Sequence, residues 1–229
     1  MEKDLLLTEA VQQVLKNFSI INTQVLFKRG KVLQIIAPGD NILAEARFNG
    51  DAEFKHEFCI YEINKLLAIL GLVGGMSIEY NPSHMVISTG KKSSVIYEFA
   101  SAEAIKKAPY INMPQPEPFD KIVNFDINTF IKAISILELQ TVTFEPNGDR
   151  KYKVYGSKKT SKNKYEVEAI SENVIKNTNK VTVDIEKFKL YNCNKYDITV
   201  SQQLIRLDAK PEDVNKEVDI SYWIASNEV

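Results

Sequence analysis

The residues in this 229-residue chain that could carry chemistry are few: two histidines, His56 and His84, two cysteines, Cys59 and Cys193, and the run Ser88-Thr89-Gly90-Lys91-Lys92-Ser93. Neither histidine has a metal-ligating partner at helical or Cys-x-x-Cys spacing, so no metal and no cofactor is expected. Nothing singles out a Ser/His or Cys/His pair as a nucleophile with its base, and no catalytic residue is assigned. A phosphate-cradling loop ending at Gly90-Lys91 would need glycine at position 85, where Met85 stands. That segment lies between two strand-like runs and reads as a hairpin turn. Gly71, Gly74 and Gly75 follow a helix-period stretch and read as a helix end and turn. Glu166 and Glu168 alternate along a strand-like run, the pattern of a solvated sheet face.

Composition narrows the classes further. With 29 Lys+Arg against 30 Asp+Glu the formal charge is −1, so bulk attraction alone would not hold the chain on nucleic acid, although charge can still be sorted onto one face. The 44% hydrophobic content is too high for a disordered chain. No run of about 18 uncharged apolar residues offers a membrane-spanning helix, and the opening Met-Glu-Lys-Asp-Leu-Leu-Leu does not read as a secretory signal. Without such a signal the Asn17-Phe18-Ser19 triplet carries no glycosylation meaning. Two cysteines do not make a disulfide framework, and both are expected reduced.

The positioning elements come from periodicity. Val11, Val14, Leu15 and Phe18 are apolar at offsets 0, 3, 4 and 7, as are Ile63, Leu66, Leu67 and Leu70, and Ile127, Phe130, Ile131 and Ile134. Each set is one face of a short amphipathic helix. A fourth, shorter stripe begins with Ile185 and Phe188. The last three share an entry of strand-like residues, an acid, then Ile: Glu62-Ile63, Asp126-Ile127 and Asp184-Ile185. Asp126 and Asp184 are expected N-caps, accepting a free backbone N–H and meeting the positive end of the helix dipole. The starts are separated by 52, 64 and 58 residues (11 to 63, 63 to 127, 127 to 185).

Strand-type runs fill the intervals, at 23–27, 32–37, 42–47, 77–80, 85–88 and 94–99, then 141–144, 151–155, 165–170, 197–200, 204–207 and 218–224. The repeating unit is therefore a helix, about three antiparallel strands and a strand leading into the next helix. Residues 108–118 hold four prolines in eleven positions and read as an extended connector. The expected organisation is α+β: a domain over 1–108, a connector over 109–120 and a similar domain over 121–229.

The helices carry lysine in an alternating pattern. Lys16 and Lys132 stand at offset 5, Lys65 and Lys187 at offset 2. At about 100° per residue both offsets fall opposite the apolar stripe. Acids are sparse there: Gln12, Gln13 and Asn17 flank Lys16, Asn128, Thr129 and Ser135 surround Lys132, and Lys189 lies near Lys187. Such a face suits phosphates without reading bases. A second basic cluster, Arg150, Lys151, Lys153, Lys158, Lys159, Lys162 and Lys164, is expected on a hairpin whose loop is solvated, the alternative being a contact with DNA or an acidic partner.

The stretch Leu15-Lys16-Asn17-Phe18-Ser19-Ile20-Ile21-Asn22 with Val25-Leu26-Phe27-Lys28-Arg29-Gly30, then Ala44-Glu45-Ala46, Ile60-Tyr61-Glu62-Ile63-Asn64 and Leu67-Ala68-Ile69-Leu70-Gly71-Leu72-Val73, resembles the sliding clamps of T-even-type bacteriophages, relatives of PCNA. The likeness is densest over residues 10–75. It implies the DNA clamp fold: two similar domains per chain with antiparallel sheets outside and two helices each lining the interior of a homotrimeric ring. It further implies a processivity factor that is not an enzyme and acts in the cytoplasm of the infected bacterial host. Its partners would be double-stranded DNA held without sequence preference, the replicative DNA polymerase and an ATP-driven clamp loader, with no membrane. Lys16, Lys65, Lys132, Lys187 and Lys189 would face DNA. The subunit interface would pair the strand holding Val95, Ile96, Tyr97 and Phe99 with a neighbour's strand holding Tyr165, Val167 and Ile170. A groove for partner tails would be lined by Ala37, Pro38, Ile42, Tyr110, Ile111, Met113, Tyr222 and Ile224. The competing expectations are a β-rich phage structural or assembly protein with no DNA role, and a hydrolase whose site has no sequence signature.

Overall fold

Three of the four apolar stripes become α-helices, and the fourth does not. The computed structural model describes residues 5–51, 53–72, 76–89, 93–109, 119–123, 125–192, 195–209 and 217–227. By contacts the chain divides into Met1–Tyr110 with Asn215–Ile220, and Ile111–Val214 with Ser221–Val229. The changeover falls inside the stretch expected as a connector, of which residues 110–118 lie outside the described residues. The return of 215–220 to the first unit has no counterpart in the sequence pattern.

In the first unit, helix α1 (Glu9–Ile21) follows a 3₁₀ turn at Leu5–Leu7. The Thr8 hydroxyl caps α1 by accepting from the Val11 N–H at 3.3 Å. Strands β1 (Val25–Phe27), β2 (Val32–Ile36), β3 (Ile42–Phe48) and β4 (Phe58–Ile60) come next. Helix α2 (Ile63–Gly71) and strands β5 (Met76–Tyr80), β6 (His84–Thr89) and β7 (Ser94–Glu98) complete the series. β1 pairs with β4, β2 with β3, and β5-β6-β7 form a three-stranded sheet, all antiparallel. Val11, Val14, Leu15 and Phe18 are fully buried, and α1 packs on α2 and on β2 and β3. Phe27 anchors the β1–β4 layer, stacked on Phe58 at 4.6 Å and edge-on to Phe54 at 5.2 Å.

The second unit repeats the order. β8 (Phe119–Val123) leads into α3 (Ile127–Ile136), then β9 (Thr141–Pro146), β10 (Lys151–Ser157) and β11 (Tyr165–Ser171). β12 (Val181–Asp184) leads into a 3₁₀ turn at Ile185–Lys187, followed by β13 (Tyr196–Ser201), β14 (Leu204–Ala209) and β15 (Val218–Ala225). The strand order is β12-β9-β10-β11-β8-β13-β14-β15, antiparallel throughout, and β15 begins in the first unit and ends in the second. β9 pairs with β12 as β1 pairs with β4, so the repeat read from the sequence is also a repeat of pairing.

Asp126 caps α3 as expected: its Oδ1 accepts the Thr129 N–H at 3.0 Å and its Oδ2 the Thr129 hydroxyl at 2.6 Å. Those bonds, the hydroxyl's first, hold its carboxyl below the ordinary carboxylate range. Asp184 makes no cap; its Oδ1 accepts from the Asn227 amide at 2.7 Å instead. The stripe it would have started has only Ile185 and Phe188, too short to offset the cost of nucleating a helix. A buried carboxylate organises the far side of the unit. Asp120 accepts from the Tyr152 hydroxyl at 2.7 Å and from the backbone N–H groups of Lys176 and Asn177 at 2.8 and 3.0 Å, which ties β8, β10 and the 172–180 segment together. Burial and that carboxylate push the Tyr152 phenol far above its ordinary value.

α3 lies close on β10. A Cβ placed on Gly156 would come within 2.5 Å of Ile134 Cγ2 and 3.0 Å of Leu139 Cδ1. Gly156→Ala is therefore expected to destabilise the protein by about 1–3 kcal/mol through overpacking. Combining it with Ile134→Ala should cost less than the sum of the two single changes, read as thermal melts in a double-mutant cycle.

Candidate nucleic-acid interface

The outward face of each helix is set by the face it buries. Lys16 on α1, Lys65 on α2 and Lys132 on α3 are all exposed, each opposite its apolar stripe. Lys65 is paired with Glu62 one turn earlier. The Lys132 charge adds a small depression to the Asp126 carboxyl. Gln13 donates to Glu9 at 2.9 Å, and Ser135 folds its hydroxyl back onto the Ile131 carbonyl at 2.7 Å. Asn17, expected beside Lys16 on this face, is instead buried.

The fourth lysine departs from expectation. Lys187 is only 8% exposed. Its ammonium donates to the Ala225 carbonyl at 3.2 Å and to Asn227 Oδ1 at 2.8 Å, tying the 3₁₀ turn to the end of β15. The physical reason is the missing helix: offset 2 points outward only on an α-helix, and residues 185–187 form a single 3₁₀ turn. Lys187 is a structural lysine and is removed from the DNA-facing set. Lys189, beyond the turn, is half-buried.

The expected interface strands present open edges. β7 pairs only with β6 among the described residues, and Ile96 on it is exposed. Val95, Tyr97 and Phe99 are half-buried. Tyr97 donates to the Glu62 carbonyl at 3.1 Å, and Phe99 stacks on Phe58 at 5.0 Å. β11 pairs with β10 along its length but with β8 only through Ile170 and Ser171, so one edge over 165–169 has no strand partner among the described residues. Ile170 is exposed, Val167 half-buried, and the half-buried Tyr165 ring lies 5.4 Å from Phe130.

The groove residues divide differently. Ala37 and Ile42 are buried at the β2–β3 turn, where the Ala37 N–H donates to the Ile42 carbonyl at 2.9 Å. Pro38 is exposed, and its carbonyl accepts from Lys106 at 2.7 Å. Tyr222 and Ile224 are buried in β15, with the Tyr222 hydroxyl accepting the Tyr191 N–H at 2.9 Å. Tyr110, Ile111 and Met113 lie outside the described residues. Four of the five described positions are thus packed into their own units rather than lining open surface.

Three of the seven basic residues of the hairpin are paired with acids of β11. Lys151 meets Glu168 at 3.0 Å, Lys153 meets Glu166 at 3.0 Å, and Lys164 meets Glu166 at 2.7 Å while lying 3.9 Å over the Tyr155 ring. The two lysines, Lys164 first, lower the Glu166 carboxyl. This is a cross-strand charge ladder, which accounts for the alternation of Glu166 and Glu168. On the same face an open cleft of about 750 Å³ is lined by hydroxyls already paired with one another, Thr143 with Thr182 at 3.0 Å and Thr141 with Ser157 at 2.9 Å. No histidine or cysteine lines it. Among the described residues no helix is long and apolar enough to cross a membrane, and no three His, Cys, Asp or Glu converge as metal ligands.

Comparison with known structures defines the class. The fold is the DNA clamp fold. PCNA of Entamoeba histolytica superposes with a TM-score of 0.68 over 95% of both chains at 10% identity. PCNA of A. fulgidus, in a structure with the C-terminal region of FEN-1 bound to it, superposes with a TM-score of 0.66 over 95% of both chains at 13% identity. In sequence the chain is similar to the sliding clamp of Escherichia phage RB69, 26% identical over 149 residues covering 64% of each chain. It is also similar to the sliding clamp of Vibrio phage KVP40, 25% identical over 111 residues covering 47% of this chain and 48% of that one. The chain thus spans between about half and two thirds of the length of these curated relatives. No protein-family model matches it.

The separation of structural from outward lysines is directly measurable. Lys187→Met should lower stability by about 1–3 kcal/mol, because the buried ammonium's two hydrogen bonds, to the half-buried Ala225 and to Asn227, are lost. Lys132→Ala, on an exposed face, should stay within about 0.5 kcal/mol of the parent in the same denaturant titration.

Proposed function

We propose that this chain is the protomer of a sliding clamp, a non-enzymatic processivity factor that encircles duplex DNA and tethers a replicative polymerase. The observation that carries the reading is the outward presentation of Lys16, Lys65 and Lys132 on three helices of a DNA clamp fold. It gains support from the names of the two phage relatives. Three chains would close head to tail into a ring of six similar domains. The open edge of β7 in one chain would pair with the open edge of β11 in the next, which would also remove two strand edges that otherwise invite aggregation. An ATP-dependent loader would open and close the ring on DNA in the cytoplasm of an infected bacterium. Partner tails would dock near Pro38 and the 109–120 connector.

A ring explains why a chain of formal charge −1 can work on DNA. Ammonium groups on the inner helices contact phosphates weakly and without sequence preference, while closure, not affinity, prevents escape. Weak contacts are an advantage here, since each tight phosphate contact would have to break for the ring to advance.

The test is a charge reversal that leaves packing alone. The triple variant Lys16→Glu, Lys65→Glu, Lys132→Glu should keep the native mass of the parent and lose loader-dependent polymerase stimulation by at least about tenfold, as phosphate contacts turn repulsive. Stimulation equal to the parent's would remove these helix faces from the DNA surface and favour a β-rich structural or assembly protein. Lys187 is left intact, because changing it would test folding instead.

A further inference from the structure

Among the described residues the two most exposed large apolar side chains are Ile136, at 82%, and Leu72, at 72%; Ile20 is 60% exposed. These three share a position. Counted from the first residue of each apolar stripe, Val11, Ile63 and Ile127, all stand at offset 9. At about 100° per residue that offset points directly away from the buried stripe, on the same outer face as the lysines. Ile20 lies four residues after Lys16, Ile136 four after Lys132 and Leu72 seven after Lys65. Ile20 and Ile136 belong to the last turns of α1 and α3, and Leu72 caps α2 with φ −72° and ψ −26°, continuing the helical path. The residue before each is small: Ser19, Gly71 and Ser135.

An exposed branched aliphatic side chain at the same place in three helices is not an accident of one packing site, and their own units leave them uncovered. A ligand that meets all three must present the same surface repeatedly. The corresponding face of each helix carries lysine; the acids nearest in sequence are Glu9, Glu62 and Asp126, at or before the helix starts, and Glu138, two residues after Ile136, which meets Lys158 at 4.0 Å. That charge pattern fits a polyanion. The position along the helix matters as well. The last turn exposes unsatisfied carbonyls and the negative end of the macrodipole, which disfavour a phosphate. An aliphatic group is what this end can offer to a polyanion: it fills space, makes van der Waals contact and forms no hydrogen bond.

We propose that Ile20, Leu72 and Ile136 are neutral spacers in contact with the DNA duplex, holding its phosphates off the carbonyl ends of the helices while the lysines one or two turns earlier attract them. This rests on the clamp reading and adds a second component to that surface. Lysine supplies attraction that screens with salt, and the aliphatic end supplies contact without a bond to break at each step. The duplex then moves past each helix with little to release.

The experiment uses the whole protein, loaded by its loader onto a duplex with blocked ends, and follows movement of labelled rings along the DNA. The triple variant Ile20→Lys, Leu72→Lys, Ile136→Lys should fold as the parent does, since all three side chains are exposed, and should diffuse several-fold more slowly. Its binding to a short linear duplex should show a salt dependence steeper by up to about 0.9 in log–log slope for each added lysine that reaches a phosphate. The variant with glutamine at the same three positions should slow diffusion with the salt slope unchanged, because it adds hydrogen bonding without charge. Parent-like diffusion and salt slope in the lysine variant would overturn the proposal while leaving the clamp reading intact. Loss of polymerase stimulation with unchanged diffusion would also overturn it, assigning the three residues to a protein partner. A parent protein that is not retained on the end-blocked duplex would contradict the clamp reading itself and the spacers with it.

Discussion

The rest of the structure depends on the burial of one apolar stripe per helix. On α1 the side chains of Val11, Val14, Leu15 and Phe18 are fully buried, and on α3 those of Ile127, Phe130 and Ile134 are nearly so. Each such side chain is worth about 1.5–3 kcal/mol over its exposed state. Turning α1 by half a rotation would forfeit about 6–12 kcal/mol and bury the Lys16 ammonium, whereas an exposed charged contact is worth about 1 kcal/mol or less. Packing, and not any attraction to a ligand, therefore decides which way the lysines point. Gly156 shows how tight that constraint is, since Ile134 of α3 sits where a β-carbon would be. The outward faces are a by-product of the core, which is why they can be weakly basic and still be placed with accuracy.

The same logic separates the charges that could touch a ligand from those that hold the fold. Lys151, Lys153 and Lys164 are absorbed into a ladder with Glu166 and Glu168. Lys187 is absorbed into hydrogen bonds at the end of β15. What remains on the helix faces is a small number of ammonium groups, Lys16, Lys132 and Lys65, the last of them paired with Glu62. Tight binding is not to be expected from so few contacts. A device that must remain on a polymer and still move along it gains from this economy only if something other than affinity prevents dissociation, and a closed ring supplies that.

Much of this was legible in the sequence because the local signals agreed with one another. Offsets 0, 3, 4 and 7 located three helices, and strand-type runs located the β-strands to within a residue or two, as at 165–170 against Tyr165–Ser171. Asp126 caps α3 as its position ahead of Ile127 suggests. The failures have physical causes. Asp184-Ile185 has the same entry, but its stripe ends at Phe188, and the Asp184 carboxylate is taken by Asn227, more than forty residues away and invisible to any local pattern. Lys187 was misplaced for the same reason. Ala37, Ile42, Tyr222 and Ile224 carry the right chemistry for a groove but are buried, which residue type alone does not reveal. The buried Asp120–Tyr152 pair joins residues 32 apart and left no trace in periodicity. The offset-9 aliphatics, by contrast, lie on the same helical template, two positions beyond its last apolar offset.

Enclosure of DNA is the central claim, and its most direct measurement compares one DNA in two topologies. Labelled protein is loaded onto a nicked circular duplex, excess protein is removed, and the bound fraction is followed before and after a single cut linearises the circle. A ring around DNA should be lost slowly from the circle and rapidly after the cut, with little change when salt is raised before it. Equal loss rates from circular and linear DNA, or release from the intact circle governed by salt, would mean that the protein adheres to DNA and does not surround it.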